Sequence, residues 1–136
     1  MRMRKKPNLM PRMERCAEML IAEPAQNRGQ WRELKPEASA LWLEIGCGKG
    51  RFTAETAAAN PDVLYIAIER VPDAMVIAME RCHELGLSNV FFVDGDAALL
   101  RDYFAPDELD RVFINFCDPW PRKKNAKRRL THRGFL

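Results

Sequence analysis

Apolar residues in this chain fall into four short runs: Leu41 to Ile45, Val63 to Ile68, Val90 to Val93 and Arg111 to Cys117. Each is too short for a helix of ordinary length. Each is also too continuous for a strand with one wet face, so all four read as strands buried on both sides. Between them the period changes. Arg51 to Ala59 is alanine-rich and closed by Asn60-Pro61, which predicts a helix. A second helix is predicted from Pro72, suited to a first turn, to about Leu85, with Gly86 as its stop. Ala97 to Tyr103 predicts a third, short one. Strand and helix alternate four times, the signature of an α/β fold built on a parallel sheet with helices on both faces. Upstream, Met10 to Ile21 places Met13, Cys16, Ala17, Leu20 and Ile21 at helical spacing, with Pro24 ending the segment. Asn27 to Pro36 reads as a loop from which Trp31 and Leu34 pack inward, and residues 1–9 read as a basic arm.

Composition adds one strong feature. The 136 residues suffice for one main domain, and no apolar stretch has the length of a bilayer span or follows the basic start as a signal peptide would. A cytoplasmic protein without membrane attachment is therefore expected. The net charge of +3 conceals an asymmetry: residues 1–12 and 122–136 carry twelve Lys/Arg and no acid, whereas the middle sums to −9. Two basic ends point to a polyanion, most simply a nucleic acid. Cys16, Cys47, Cys82 and Cys117 stand 31 to 35 residues apart, a spacing that predicts buried thiols and no metal site. The expected organisation is a basic arm and helix over 1–39, followed by a ligand-binding domain over 40–136.

The chemistry collects where the predicted strands end. In parallel sheets of this kind, ligands sit outside the carboxyl ends of the strands. Glu44, Glu69, Asp96 and Asp118 each stand at or near such an end. One acid there commonly caps a helix, but four would share one crevice. The first turn, Gly46-Cys47-Gly48-Lys49-Gly50, has GxGxG spacing, which is neither the dinucleotide fingerprint nor a P-loop. A carboxylate two residues before the first glycine would repel a pyrophosphate and attract a cationic ligand, such as a sulfonium carrying an α-amino group. Glu69 is placed to accept hydrogen bonds from ribose hydroxyls, and Asp96 to grip an adenine amine.

Together these features resemble the class I S-adenosylmethionine-dependent methyltransferases. Asp118-Pro119-Trp120-Pro121, the basic stretch Arg122 to Thr131, Leu41 to Phe52 and Asn27 to Pro36 narrow the resemblance to the bacterial tRNA (guanine-N7)-methyltransferase family. The resemblance implies a Rossmann-like fold, S-adenosylmethionine as methyl donor and tRNA as partner. It implies cofactor contacts from Glu44, Gly46, Gly48, Glu69, Asp96, Ala97 and Asp118, with Asp118 also beside the target guanine as the catalytic residue. Arg122, Lys124, Lys127, Arg128 and Arg129 would contact RNA. Arg122 stands where the family usually has lysine, and Asn125 where many members have histidine. The family also continues past residue 136, and its sheet has more than four strands. A chain lacking the C-terminal strands is expected, with an exposed outer strand and low stability when isolated. The alternatives are a portion that binds cofactor or RNA without turnover, and a methyltransferase for another nucleic-acid base.

Overall fold

The computed structural model describes residues 11–12 and 15–115; the expectations for Asp118 and the basic run beyond it fall outside them. Four parallel strands form one sheet: β1 (Ala40–Ile45), β2 (Val63–Glu69), β3 (Val90–Asp94) and β4 (Arg111–Ile114), in the order β3-β2-β1-β4. Helix α1 (Arg51–Ala59) joins β1 to β2, and α2 (Pro72–Glu84) joins β2 to β3. The third connection is a 3-10 turn, Ala97–Leu99, running into the single-turn α3 (Leu100–Tyr103). The chain thus steps outward from β1 to β3, then crosses back to place β4 on the other side of β1. That reversal opens a crevice between the carboxyl ends of β1 and β4.

Alternation along the strands feeds two apolar layers. Tyr65, Ala67, Val90 and Phe92 pack against Ala54 and Ala57 of α1 and Met75, Ala78, Met79 and Cys82 of α2. Leu41, Leu43, Ile45, Leu64, Ile66, Ile68 and Val93 face the other way, toward Trp31, Leu100, Tyr103 and Phe104. Small residues on the helices let them approach closely. An added Cβ on Gly50, at φ +83°, would lie 2.5 Å from the Ala78 Cβ and 2.6 Å from its Cα. At the opposite end of the sheet the buried Asn89 carboxamide donates to the carbonyls of Ala57, Asn60 and Val63, satisfying the end of α1 and the start of β2.

The segment before β1 departs from the expected long helix. Pro11, Arg12 and Arg15 have helical backbone, but Ala17–Met19 is a 3-10 turn and Leu20 forms a parallel bridge with Phe92 on the outer side of β3. Cys16 and Met19 enter the α1/α2 layer, so the apolar spacing reflects two different partners and not one continuous helical face. Pro24 begins a 3-10 turn, Pro24–Asn27, and a second spans Trp31–Leu34 where a loop was expected. The inward packing of Trp31 is as expected. It has no exposed surface, stacks on Phe104 at 4.9 Å, and donates its indole N–H to the Tyr103 carbonyl (2.7 Å). Glu108 holds the same segment from below, accepting from the backbone N–H groups of Gly29, Trp31 and Ala105.

Candidate active site

The glycine turn leaves β1 and is fastened to β2. Gly46 and Cys47 donate their N–H groups to the Ile68 carbonyl, and Gly48 donates to Glu69 Oε1 (2.7 Å). Glu69 Oε2 accepts from Val71 N (3.1 Å), so one carboxylate ties the glycine turn to the entry of α2. Each of its oxygens retains a lone pair, and the residue is half-buried, so it can still accept from a ligand. Asp96 is exposed and caps the following turn through Ala98 N (3.0 Å), with capacity left on the carboxylate. Ala97, half-buried, follows it. Gly46, Gly48, Glu69, Asp96 and Ala97 all sit at the carboxyl ends of β1, β2 and β3, and a short reach separates these strand ends.

Glu44 occupies a different position from the one its sequence neighbours suggest. It is completely buried on the α1/α2 side of the sheet. Oε1 accepts from the hydroxyls of Thr53 (2.5 Å) and Tyr65 (2.9 Å), and Oε2 accepts from the Asn115 amide (2.9 Å). Three donors from α1, β2 and the end of β4 therefore meet at one carboxylate, which lies under the crevice as its floor. A buried charge is tolerated only when so surrounded. Tyr65 answers it: burial first, then the Glu44 charge, push its hydroxyl well above the usual tyrosine range, so it remains a donor. Cys47, also buried, is pushed up by burial and then by the Glu44 and Glu69 charges. Its thiol packs in the turn, 3.7 Å from the Gly48 carbonyl.

Asn115 is a member of this cluster that sequence reasoning passed over. Besides the bond to Glu44, its N–H donates to the Ile45 carbonyl (3.0 Å), and its own carbonyl lies 2.6 Å from where a Cβ on Gly46 would stand. Gly46, at φ +76°, is thus required both by its backbone conformation and by the passage of β4 beside it. Around Phe113, Trp42 and Phe52 pack edge-on at 5.6 and 5.3 Å, with the Arg111 guanidinium over Trp42 at 4.8 Å.

Among the described residues no group of His, Cys, Asp and Glu could hold a metal ion, and no helix is long and apolar enough to cross a membrane. What the arrangement offers is a row of strand ends carrying Glu69 and Asp96, next to the switch point between β1 and β4 and beside a close-fitting glycine turn.

Residues 38–136 match the model of a family described as "Putative methyltransferase". Two curated bacterial proteins, the tRNA (guanine-N(7)-)-methyltransferases of Bacillus cytotoxicus and Geobacillus kaustophilus, are each 43% identical over 136 residues, 100% of this chain. The chain spans 63% of their length. Among solved structures, an antibiotic-related methyltransferase superposes on 72% of this chain and 50% of its own, with a TM-score of 0.56 and 23% identity, a likeness of fold.

Proposed function

The chain belongs to the methyltransferase family whose model it matches across residues 38–136, and from that premise we propose that it carries the cofactor half of a tRNA (guanine-N7)-methyltransferase. The observation that carries the proposal is the 43% identity to enzymes of that name along the whole chain, over a crevice whose acids suit a cationic donor. The residues present fit S-adenosylmethionine. Glu69 has lone pairs to spare at the end of β2 and would accept from ribose hydroxyls, and the exposed Asp96 would accept from an adenine amine. Gly46 and Gly48 would offer bare backbone to the methionine portion, Ala97 would border the adenine, and Glu44 would supply negative charge from beneath. Residues 1–39 serve as a basic arm and anchoring segment, and 40–136 as the cofactor-binding part.

When bound, S-adenosylmethionine supplies a sulfonium methyl group. Guanine N7 already presents a lone pair and loses no proton on attack, so the protein needs no strong base. Its work is alignment and the handling of charge. Asp118 orients the guanine edge and favours the cationic purine that forms. Arg122, Lys124, Lys127, Arg128 and Arg129 bind tRNA phosphates with a salt-dependent affinity. Such a reaction belongs in the cytoplasm, where tRNA is.

The test is transfer of labelled methyl from S-adenosylmethionine to an unmodified tRNA transcript, with Asp118→Ala in parallel and the methyl mapped on the product. Label at guanine N7, lost in the variant, supports the proposal. Label at an exocyclic amine would reassign the substrate atom. Cofactor binding without transfer would limit this chain to the binding step.

A further inference from the structure

The cations of the described residues are not all engaged alike. Arg12 is clamped on Glu80 through Nε (2.9 Å) and Nη2 (2.6 Å), and Arg32 is paired with Asp110 (2.6 Å). Lys49, Arg51 and Arg81 differ. All three are exposed, and among the described residues Arg51 alone of them pairs with a carboxylate, Glu55, at 3.5 Å. That pair is of the weak kind. Its side chains are 84% and 67% exposed, so solvent screens it and another anion displaces it at little cost. The three cations are brought together because α1 and α2 meet where Gly50 approaches Ala78. Lys49 and Arg51 flank Gly50. Arg81, three residues past Ala78 on α2, donates its Nε–H to the Lys49 carbonyl (3.2 Å). Its two terminal nitrogens form no bond to another described residue, and they keep the fork geometry that suits a phosphate. Phe52 follows directly in the chain. It is 39% exposed, yet its ring is steadied edge-on by Phe113 at 5.3 Å.

We propose that Lys49, Arg51 and Arg81 form a phosphate-binding surface for tRNA, with Phe52 as a platform on which an unpaired base stacks. The inference rests on the tRNA reading above and adds a contact surface to the basic run Arg122 to Arg129. Cations with an aromatic ring among them are what a looped or single-stranded nucleic acid needs. Phosphates meet the charges, and a base meets the ring. The place in the fold agrees. Lys49 to Phe52 carry the glycine turn out of β1 into α1, whereas Glu69, Asp94 and Asp96 make the ends of β2 and β3 acidic. Opposite signs therefore stand on neighbouring parts of one end of the sheet. A polyanion is turned away from the acidic strand ends, which suit a cationic cofactor, and toward the basic start of α1.

The experiment measures binding of a fluorescent, unmodified tRNA transcript by anisotropy, without cofactor, over a range of salt concentrations. The variant Lys49→Gln/Arg51→Gln/Arg81→Gln removes the charges of the surface. Lys49→Arg/Arg51→Lys/Arg81→Lys keeps them. Arg28→Gln/Arg32→Gln/Arg101→Gln removes the same net charge from the segments around Trp31 and Leu100, which pack over the opposite face of the sheet. Phe52→Ala removes the ring alone. A far-ultraviolet spectrum checks that each variant is folded. Each phosphate contact contributes about 0.7–0.9 to the slope of log affinity against log salt. Losing the surface charges should lower that slope by about 2 and the affinity at low salt by about tenfold or more. The variant that keeps the charges should retain the wild-type slope, and the one altered on the opposite face should stay within about threefold of wild-type affinity. Phe52→Ala should weaken binding about fivefold or more with the slope unchanged. Equal losses from the two faces overturn the inference, since charge at any place then suffices. An unchanged slope without the surface charges overturns it as well, and wild-type affinity in Phe52→Ala overturns the stacking platform. A wild type that binds no tRNA overturns the function reading, and this inference with it; a wild type that binds, with any of the former outcomes, overturns the inference alone.

Discussion

Gly50→Ala tests the packing that sets the base of the crevice. Gly50 precedes α1, and its backbone touches α2 at Ala78. Two costs arise on adding a methyl group. The first is conformational: at φ +83° an L-residue with a Cβ is disfavoured by about 1–2 kcal/mol. The second is steric. The new carbon would stand 2.5 Å from the Ala78 Cβ and 2.6 Å from its Cα, and the nearer obstacle includes helix backbone that cannot rotate aside. Forcing α1 and α2 apart by enough to admit it costs a further 1–3 kcal/mol or so. Gly86→Ala separates the two terms. Gly86 has φ +69°, but a Cβ there would meet nothing within 4 Å. It should cost about 1 kcal/mol, and Gly50→Ala roughly 2–5 kcal/mol. Urea denaturation followed by far-ultraviolet circular dichroism reads both. With a slope of roughly 1–3 kcal/mol/M, the midpoint of Gly50→Ala should fall clearly below that of Gly86→Ala. Equal midpoints for the two variants would refute the steric argument.

Glu108→Ala removes the acceptor of three backbone N–H groups, and should cost about 1–3 kcal/mol while trypsin cleaves faster after Arg28 and Arg32, as a timed digest would show. Stability should fall in acid. The Leu41 N–H and then Arg32 hold Asp110 below its ordinary 3.8, and the Arg12 hydrogen bond holds Glu80 below its ordinary 4.5. Both contributions are complete above those values and are lost as pH drops through the lowered ones, so Asp110→Asn should flatten the melting-temperature profile below about pH 4. Cys16, Cys47 and Cys82 are buried, and burial pushes the Cys82 thiol up to about 12. Iodoacetamide at pH 8 should therefore leave all three unmodified in peptide mapping until urea unfolds the chain.

The sheet was legible in sequence because its strands are continuous apolar runs bounded by glycine, proline and acids. Periodicity and punctuation agreed there, and β1 and β2 differ from expectation by a residue or less. The segment before β1 was not legible in the same way. Apolar spacing from Met13 to Ile21 satisfied a helical template, but the bridge between Leu20 and Phe92 outweighs local preference. The 3-10 turns at Pro24–Asn27 and Trp31–Leu34 carry no periodic signal of their own. The position of the second follows from Glu108 and Tyr103, more than 70 positions from Trp31. At the site, Glu69 and Asp96 stand at the strand ends where topology puts them. The enclosure of Glu44 was hidden, because its partners are 9, 21 and 71 positions distant. Only Asn115, as a polar residue within an otherwise apolar run, offered a hint.

The two margins of the sheet are unlike. On β3, Leu20 and Ile21 already occupy the backbone of Phe92, which interrupts any further pairing there. On β4, the far side from β1 has no strand beside it among the described residues. A free peptide offered to the β3 margin would find the Phe92 carbonyl already taken by the Ile21 N–H, so that margin is guarded against strand addition.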